Sequence, residues 1–326
     1  MAATHPTQNL FVCGLHRSGT SLVTKAIAAH PDVASFKHTD AIEQEGQFLQ
    51  AIFPTDQEFG GPGRFAFDPQ AHLTEHSPLA TKENAALLSA KWAEFHEPGR
   101  SVMVEKSPSN LLRTRLLQAL FPQARFVILT RHPIPVALAT QKWTHTSPFS
   151  LVAHWVQAHA LLEQDLPYLR RVMILSYESF VADAAGTLDR IWQFAELPPH
   201  RAEIEAEDRN QAYFERWRNE FTQSRSIANQ FGRFEQIWHR LRKKLKRATP
   251  EQQRLERLEF GRRSDAQDVV VAFEPAVRAF GYSLTDFSLA PNRDGPGTPM
   301  KLVPMPEYAV PPSLRFARWN EGSLLF

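Results

Sequence analysis

The sequence predicts an α/β fold, a parallel sheet flanked by helices with a helical C-terminal extension. Three observations predict it. Short apolar, β-branched runs recur at residues 9–13, 101–105, 125–130 and 171–177. Each is followed by a helical pattern, at 20–29, 109–120, 133–143 and 184–194. The first such junction carries the spacing Gly14-x4-Gly19-Thr20-Ser21. Strands alternating with helices form a parallel sheet covered on both faces.

Residues 9–13 suit a buried strand, and Leu22, Ala26 and Ala29 lie along one face of the helix after it. Glycines between them let the backbone curl, so that N–H groups and the helix N-terminus face an anion. This is a P-loop-type turn. Nucleoside triphosphatases place Lys directly after the second Gly to reach the β/γ-phosphates. Here Thr20 holds that place and the cation is Arg17, within the loop. The turn suits a phosphate but argues against ATP chemistry. Taken alone, such a glycine-rich match reads equally well as a plain structural connection.

Residues 33–36 suggest a further short strand, and 53–78, with Gly60, Gly61 and Gly63, a long loop or lid. Pro108 and Pro133 fit first helical turns, with Ser107 as an N-cap beside the former. Residues 200–285 look helical and charge-rich, and the Pro- and Gly-rich stretch past Leu289 reads as an irregular tail. The expected organisation is one domain over 1–289, with a core at about 8–200 and a helical region at about 200–289, then a tail over 290–326.

Apolar content of 43% and charged content of 22% are ordinary for a soluble globular protein. A net charge of +2 selects no class of partner. No apolar run approaches the roughly 18 residues of a membrane span. No secretory signal is evident at the N-terminus, so a cytoplasmic enzyme is expected. The single Cys13 excludes an internal disulfide and a cysteine metal cluster. Residues 240–247 hold six cations in eight positions, but Leu241 and Leu245 mark an amphipathic helix. No nucleic-acid partner is expected. Trp143, Trp155 and Trp192 fall in helical patterns and read as packing residues.

In open parallel sheets, ligands bind beyond the carboxyl ends of the strands. Arg17, Lys106 and Arg131 all fall at such ends. Any one alone is most simply a surface charge. Three on one rim, one of them inside a phosphate turn, describe a pocket for a polyanionic nucleotide.

These segments resemble those of sulfotransferases that use 3′-phosphoadenosine 5′-phosphosulfate (PAPS), particularly the bacterial and protein-tyrosine-sulfotransferase-like branch. Residues 14–22 resemble the family's 5′-phosphosulfate loop, and 29–33 the stretch just beyond that loop. Glu43-Gln-Glu-Gly-Gln-Phe-Leu-Gln50 resembles an acidic segment of bacterial members. Glu105-Lys-Ser-Pro108 is similar to the Glu-Lys-Ser/Thr-Pro signature, and 130–140 to the 3′-phosphate element. Ser176-Tyr-Glu-Ser-Phe180 resembles the Tyr-Glu-x-Leu strand and helix.

The resemblance implies that Arg17, Ser18, Gly19, Thr20 and Ser21 hold the 5′-phosphate and sulfuryl group. Arg131 would pair with the 3′-phosphate, where a planar fork suits bidentate contact. The family's serine eight residues beyond that Arg is replaced by Ala139, with Thr140 beside it as a substitute. Tyr177 would touch the adenine or 3′-phosphate, or else pack in the core. Arg17 and Lys106 would stabilise charge during in-line, metal-independent transfer to a hydroxyl or amine of a small-molecule or carbohydrate acceptor, leaving 3′-phosphoadenosine 5′-phosphate (PAP). For the general base, His38 falls where the protein-tyrosine sulfotransferases carry their catalytic Glu, with Glu43 and Glu45 as alternatives. His16 reads as a lining residue. The rival readings are a P-loop kinase or NTPase and a non-catalytic nucleotide-binding protein.

Overall fold

The computed structural model describes residues 6–231, 266–305 and 309, less positions 38, 145, 203, 290, 292 and 293. His38 and the basic run at 240–247 therefore lie outside the described residues. Six strands, β1 Gln8–Cys13, β2 Val33–Ala34, β3 Val102–Lys106, β4 Arg125–Thr130, β5 Val172–Ser176 and β6 Gly295–Pro296, form one sheet. Their order is β2-β3-β1-β4-β5-β6. Neighbours pair in parallel except β5 with β6. The helices are α1 Thr20–Ile27, α2 Lys82–Ala93, α3 Thr114–Leu120, α4 Pro133–Thr144, α5 Pro148–Asp165, α6 Tyr177–Ala182, α7 Ala184–Phe194, α8 Gln211–Phe231 and α9 Ala266–Ala279.

The mostly parallel α/β sheet flanked by helices is the architecture the sequence predicts. Alternation along the strands explains why both faces are filled. In β1, Leu10 and Val12 join Val23 and Ile27 of α1 and Leu188, Ile191 and Trp192 of α7. Phe11 and Cys13 point to the opposite core, shared with Leu111, Leu116, Trp155 and Leu161. A strand covered on both faces is continuously apolar, as 10–13 is. Cys13 is fully buried, and burial pushes its thiol pKa up. No helix among the described residues is long and apolar enough to cross a membrane.

Several expectations change in detail. The pattern at 109–120 is two pieces, a 3-10 turn over Pro108–Leu112 and then α3, separated by Arg113 at φ −130°. Ser107 does not cap it; its hydroxyl instead donates to Glu105 Oε1 at 2.6 Å. Tyr177 does not end a strand but opens α6, capped by the Ser176 hydroxyl, which accepts from Ser179 N at 3.0 Å. Segment 53–78 is part of the core rather than a lid, because Phe53, Phe65 and Ala66 are buried. A Cβ on Gly63 would stand 2.3 Å from Leu151, so only glycine permits that approach to α5. Trp155 and Trp192 pack as expected, whereas Trp143 is 53% exposed.

Pairing of Val12 with Lys106 and of Cys13 with Ile128 aligns the carboxyl ends of β1, β3 and β4. The loop holding Arg17, the last residue of β3 and the first after β4 thus share one edge of the sheet.

Candidate active site

That edge opens into a cavity of about 370 Å³ lined by Arg17, Gly19, Thr20, Ser21, Lys106, Arg131 and Tyr177, together with Glu43 and Glu45. Backbone curvature builds the first wall. Arg17 and Gly19 adopt left-handed φ values of 66° and 100°. The Ser18 hydroxyl braces the turn by donating to Leu15 O at 2.6 Å. Gly19 is required twice over, because its φ favours glycine and a Cβ would stand 2.7 Å from the Tyr177 ring. Gly19 precedes α1 without a side-chain cap, leaving the first-turn N–H groups to a ligand.

Arg131 is fixed from three sides. Its Nη1 donates to Arg17 O and its Nε to Asn210 Oδ1, both at 2.8 Å. Its guanidinium lies 4.0 Å over the Tyr177 ring. Burial lowers its pKa, but from a value so high that it stays a cation. Buried Nη2 has no hydrogen-bond partner among the described residues. An unmatched charged donor is costly in a protein, and an anion in the cavity would satisfy it. Tyr177 is held in turn, its hydroxyl donating to Glu207 O at 3.0 Å and accepting from Arg209 N at 3.2 Å.

Lys106 Nζ lies 3.0 Å from Glu45 Oε1, and both side chains are buried. Gln47 Nε2 donates to the other oxygen of Glu45 at 2.7 Å. Gln47 is itself anchored: its Oε1 accepts from Ser109 Oγ at 2.7 Å and Asp56 N at 3.0 Å. Beneath this pair, Glu105 Oε1 accepts from Ser107 Oγ and from Gly46 N, and Oε2 from Asn110 Nδ2. Burial pushes the Glu105 carboxyl up to about 7, although those three hydrogen bonds pull it the other way. The Glu-Lys-Ser run at the end of β3 and just beyond it therefore holds the 45–47 segment in place.

Arg17, Gly19, Thr20, Ser21, Lys106, Arg131, Tyr177, Glu43 and Glu45 come together, and two expected contacts do not line this cavity. Ser18 is turned to Leu15. Thr140 is 2% exposed and lines a separate water-sized void with His16, Gly63 and His154, because it lies on the buried part of α4. Glu43 is exposed at φ 51° and accepts from Ser21 Oγ at 3.3 Å.

Sequence reasoning missed other lining groups. Trp143 stands at the rim with the Arg17 guanidinium 4.5 Å over its ring. Its signal was faint: the apolar run of α4 stops at Thr140, before the indole. Glu205, Glu207 and Arg209 line the cavity from a loop with no periodicity to read. His16, by contrast, lines the cavity as the sequence led one to expect, with Nε2 3.1 Å from Asp56 Oδ2.

Comparison with curated proteins returned no match. Among solved structures, a sulfotransferase from Alicyclobacillus acidocaldarius is 16% identical, with TM-score 0.42, over 72% of this chain and 96% of that one. The sulfotransferase domain of the Synechococcus PCC 7002 olefin synthase is 20% identical, with TM-score 0.39, over 61% and 77%. Retinol dehydratase in complex with androsterone and inactive cofactor PAP is 14% identical, with TM-score 0.29, over 67% of each. A family model described as "Sulfotransferase family" matches residues 9–201, more than half of the chain and all three cation-bearing strand ends. The chain belongs to the sulfotransferase family.

Proposed function

We propose that this chain moves a sulfuryl group from PAPS to a hydroxyl or amine of a small-molecule or carbohydrate acceptor. One observation carries the reading: Arg17, Lys106 and Arg131 meet at one cavity into which the uncapped α1 N-terminus also opens. The residues fit the nucleotide on two physical grounds. Arg131 Nη2 is a buried cationic donor lacking an acceptor, as a 3′-phosphate would supply. The turn at Gly19 leaves the first N–H groups of α1 without a side-chain cap, as a 5′-phosphosulfate would require.

In this reading Arg17, Gly19, Thr20 and Ser21 hold the 5′ end, and Arg131 with Tyr177 the 3′-phosphate end. Ser18 acts by bracing the loop. PAPS, when bound, supplies an activated sulfuryl group on a phosphate that can leave. Sulfuryl transfer, like phosphoryl transfer, asks the protein mainly to position reactants and stabilise spreading negative charge. Arg17 and Lys106 meet that need as cations at the cavity wall. Glu45, fixed by Lys106 and Gln47, takes the acceptor's proton, a role worth roughly 10²–10⁴ in rate. The catalytic unit spans 1–289, followed by the tail 290–326.

Thermal shift tests the assignment. A ligand at 1,000 times its Kd that binds only the folded state adds about 4 kcal/mol of stability. PAP is expected to raise Tm and Mg·ATP to leave it nearly unchanged. The reverse ranking would favour a kinase and end the proposal.

A further inference from the structure

We propose that Trp143 is the acceptor platform of this site, a surface on which the ring of a sugar or a phenol stacks so that its hydroxyl lies beside Arg17. The inference rests on the sulfotransferase reading and adds to it the class of acceptor. It starts from the behaviour of one helix. From Pro133 to Thr140 every residue of α4 is buried, and the last turn then leaves the core. Trp143 is the largest side chain among the exposed hydrophobics of the described residues, at 53% of its full accessibility. Tryptophan is on average highly buried, so an indole left half in water at the rim of a cavity is a surface kept for contact.

Its neighbour gives that surface a direction. The Arg17 guanidinium stacks 4.5 Å from the indole centroid, which fixes the plane of the fork that faces the cavity. Holding Arg17 needs only the covered part of the ring. The exposed remainder is apolar, flat and adjacent to the cation that this reading assigns to the sulfuryl oxygens. A ring lying there is held by stacking while its hydroxyl reaches the reacting end. Polar groups able to accept from the other hydroxyls or a phenol are present on the same cavity, with Glu43 and Glu205 among the lining residues. A straight-chain alcohol offers no face to the indole and gains nothing from it.

The test uses the full chain with saturating PAPS and three probe alcohols: 2-naphthol, methyl β-glucoside and 1-butanol. Because Trp143 is exposed, Trp143→Phe and Trp143→Ala are expected to fold with wild-type Tm and to keep the PAP-induced shift. In the Ala variant the preference for a ring acceptor over 1-butanol, as a ratio of kcat/KM, falls by about tenfold or more, and Phe restores it. Loss of Arg17 positioning alone would slow all three probes together and leave the ratio intact, which overturns the platform. A second readout needs no turnover. In the PAP-bound protein, the indole N–H resonance absent from Trp143→Phe shifts with at least one ring probe and not with 1-butanol. Naphthol and glucoside arms separate a phenolic from a sugar acceptor, and no shift with either overturns the inference. Failure of PAP to bind the wild type would instead remove the sulfotransferase reading itself.

Discussion

Arg131 shows how a single side chain can be held on three sides and still keep a donor to spare. Two of its nitrogens are spent on Arg17 O and Asn210 Oδ1, its face on Tyr177, and one buried nitrogen on nothing among the described residues. A hydrogen bond to a charged partner contributes about 1.5–3 kcal/mol, roughly 10- to 150-fold in affinity. Arg131→Ala is therefore expected to weaken PAP by that factor in a calorimetric titration. Adenosine 5′-phosphosulfate, which lacks the 3′-phosphate, should bind both forms alike. Equal losses for the two ligands would remove Arg131 from the 3′ end. Lys106 differs, since its partner Glu45 is internal. Lys106→Ala should keep PAP binding and lower kcat on the order of 10²–10³, the scale of one lost oxyanion donor. Turnover within threefold of wild type would exclude it from the chemistry.

Elements matter through what they fix. Strand β3 ends on Lys106, but its preceding residue Glu105 does the holding, accepting from Gly46 N, Ser107 Oγ and Asn110 Nδ2. A Cβ on Gly46 would stand 2.7 Å from that carboxylate, so the 45–47 segment approaches it as closely as glycine allows. Burial raises the Glu105 pKa from 4.5 to about 7, which means the folded state binds the proton more tightly than the unfolded one. Stability from this group is full below pH 4.5 and is lost as pH rises through 7, by on the order of 3 kcal/mol. Urea midpoints at pH 5 and pH 8 should differ less in Glu105→Gln than in the wild type. An identical pH dependence in both would show that Glu105 is not the titrating group.

Across the whole molecule, separate segments are tied together by buried charge. Asp165 at the end of α5 meets His72 Nε2 at 3.0 Å and Arg115 Nη1 of α3 at 3.5 Å, and Arg115 also grips Glu75. Removing one partner from such a cluster leaves uncompensated charge and typically costs about 3–5 kcal/mol. Asp165→Ala should lose that much in denaturant unfolding, and a loss under 1 kcal/mol would mean water replaces the carboxylate. None of these residues is periodic or motif-bearing, so the cluster could not be read from the chain.

Legibility in the sequence divides along the same line between local and distant. Strand and helix order, the 14–21 turn and the three cations at strand ends were legible, because unbroken apolar runs and glycine geometry are local and leave marks in consecutive residues. The boundary at Arg113, the buried course of 53–78, the turning of Thr140 away from the cavity and the exposure of Trp143 were not legible. Each depends on what distant segments leave open: Leu151 beside Gly63, α5 against α4, Arg17 over the indole. By itself the sequence determined that a glycine-built turn and three cations stand on one rim of a parallel sheet. Only the tertiary structure decided which side chains face the cavity, because packing between residues far apart in the chain sets that choice, and no local pattern encodes it.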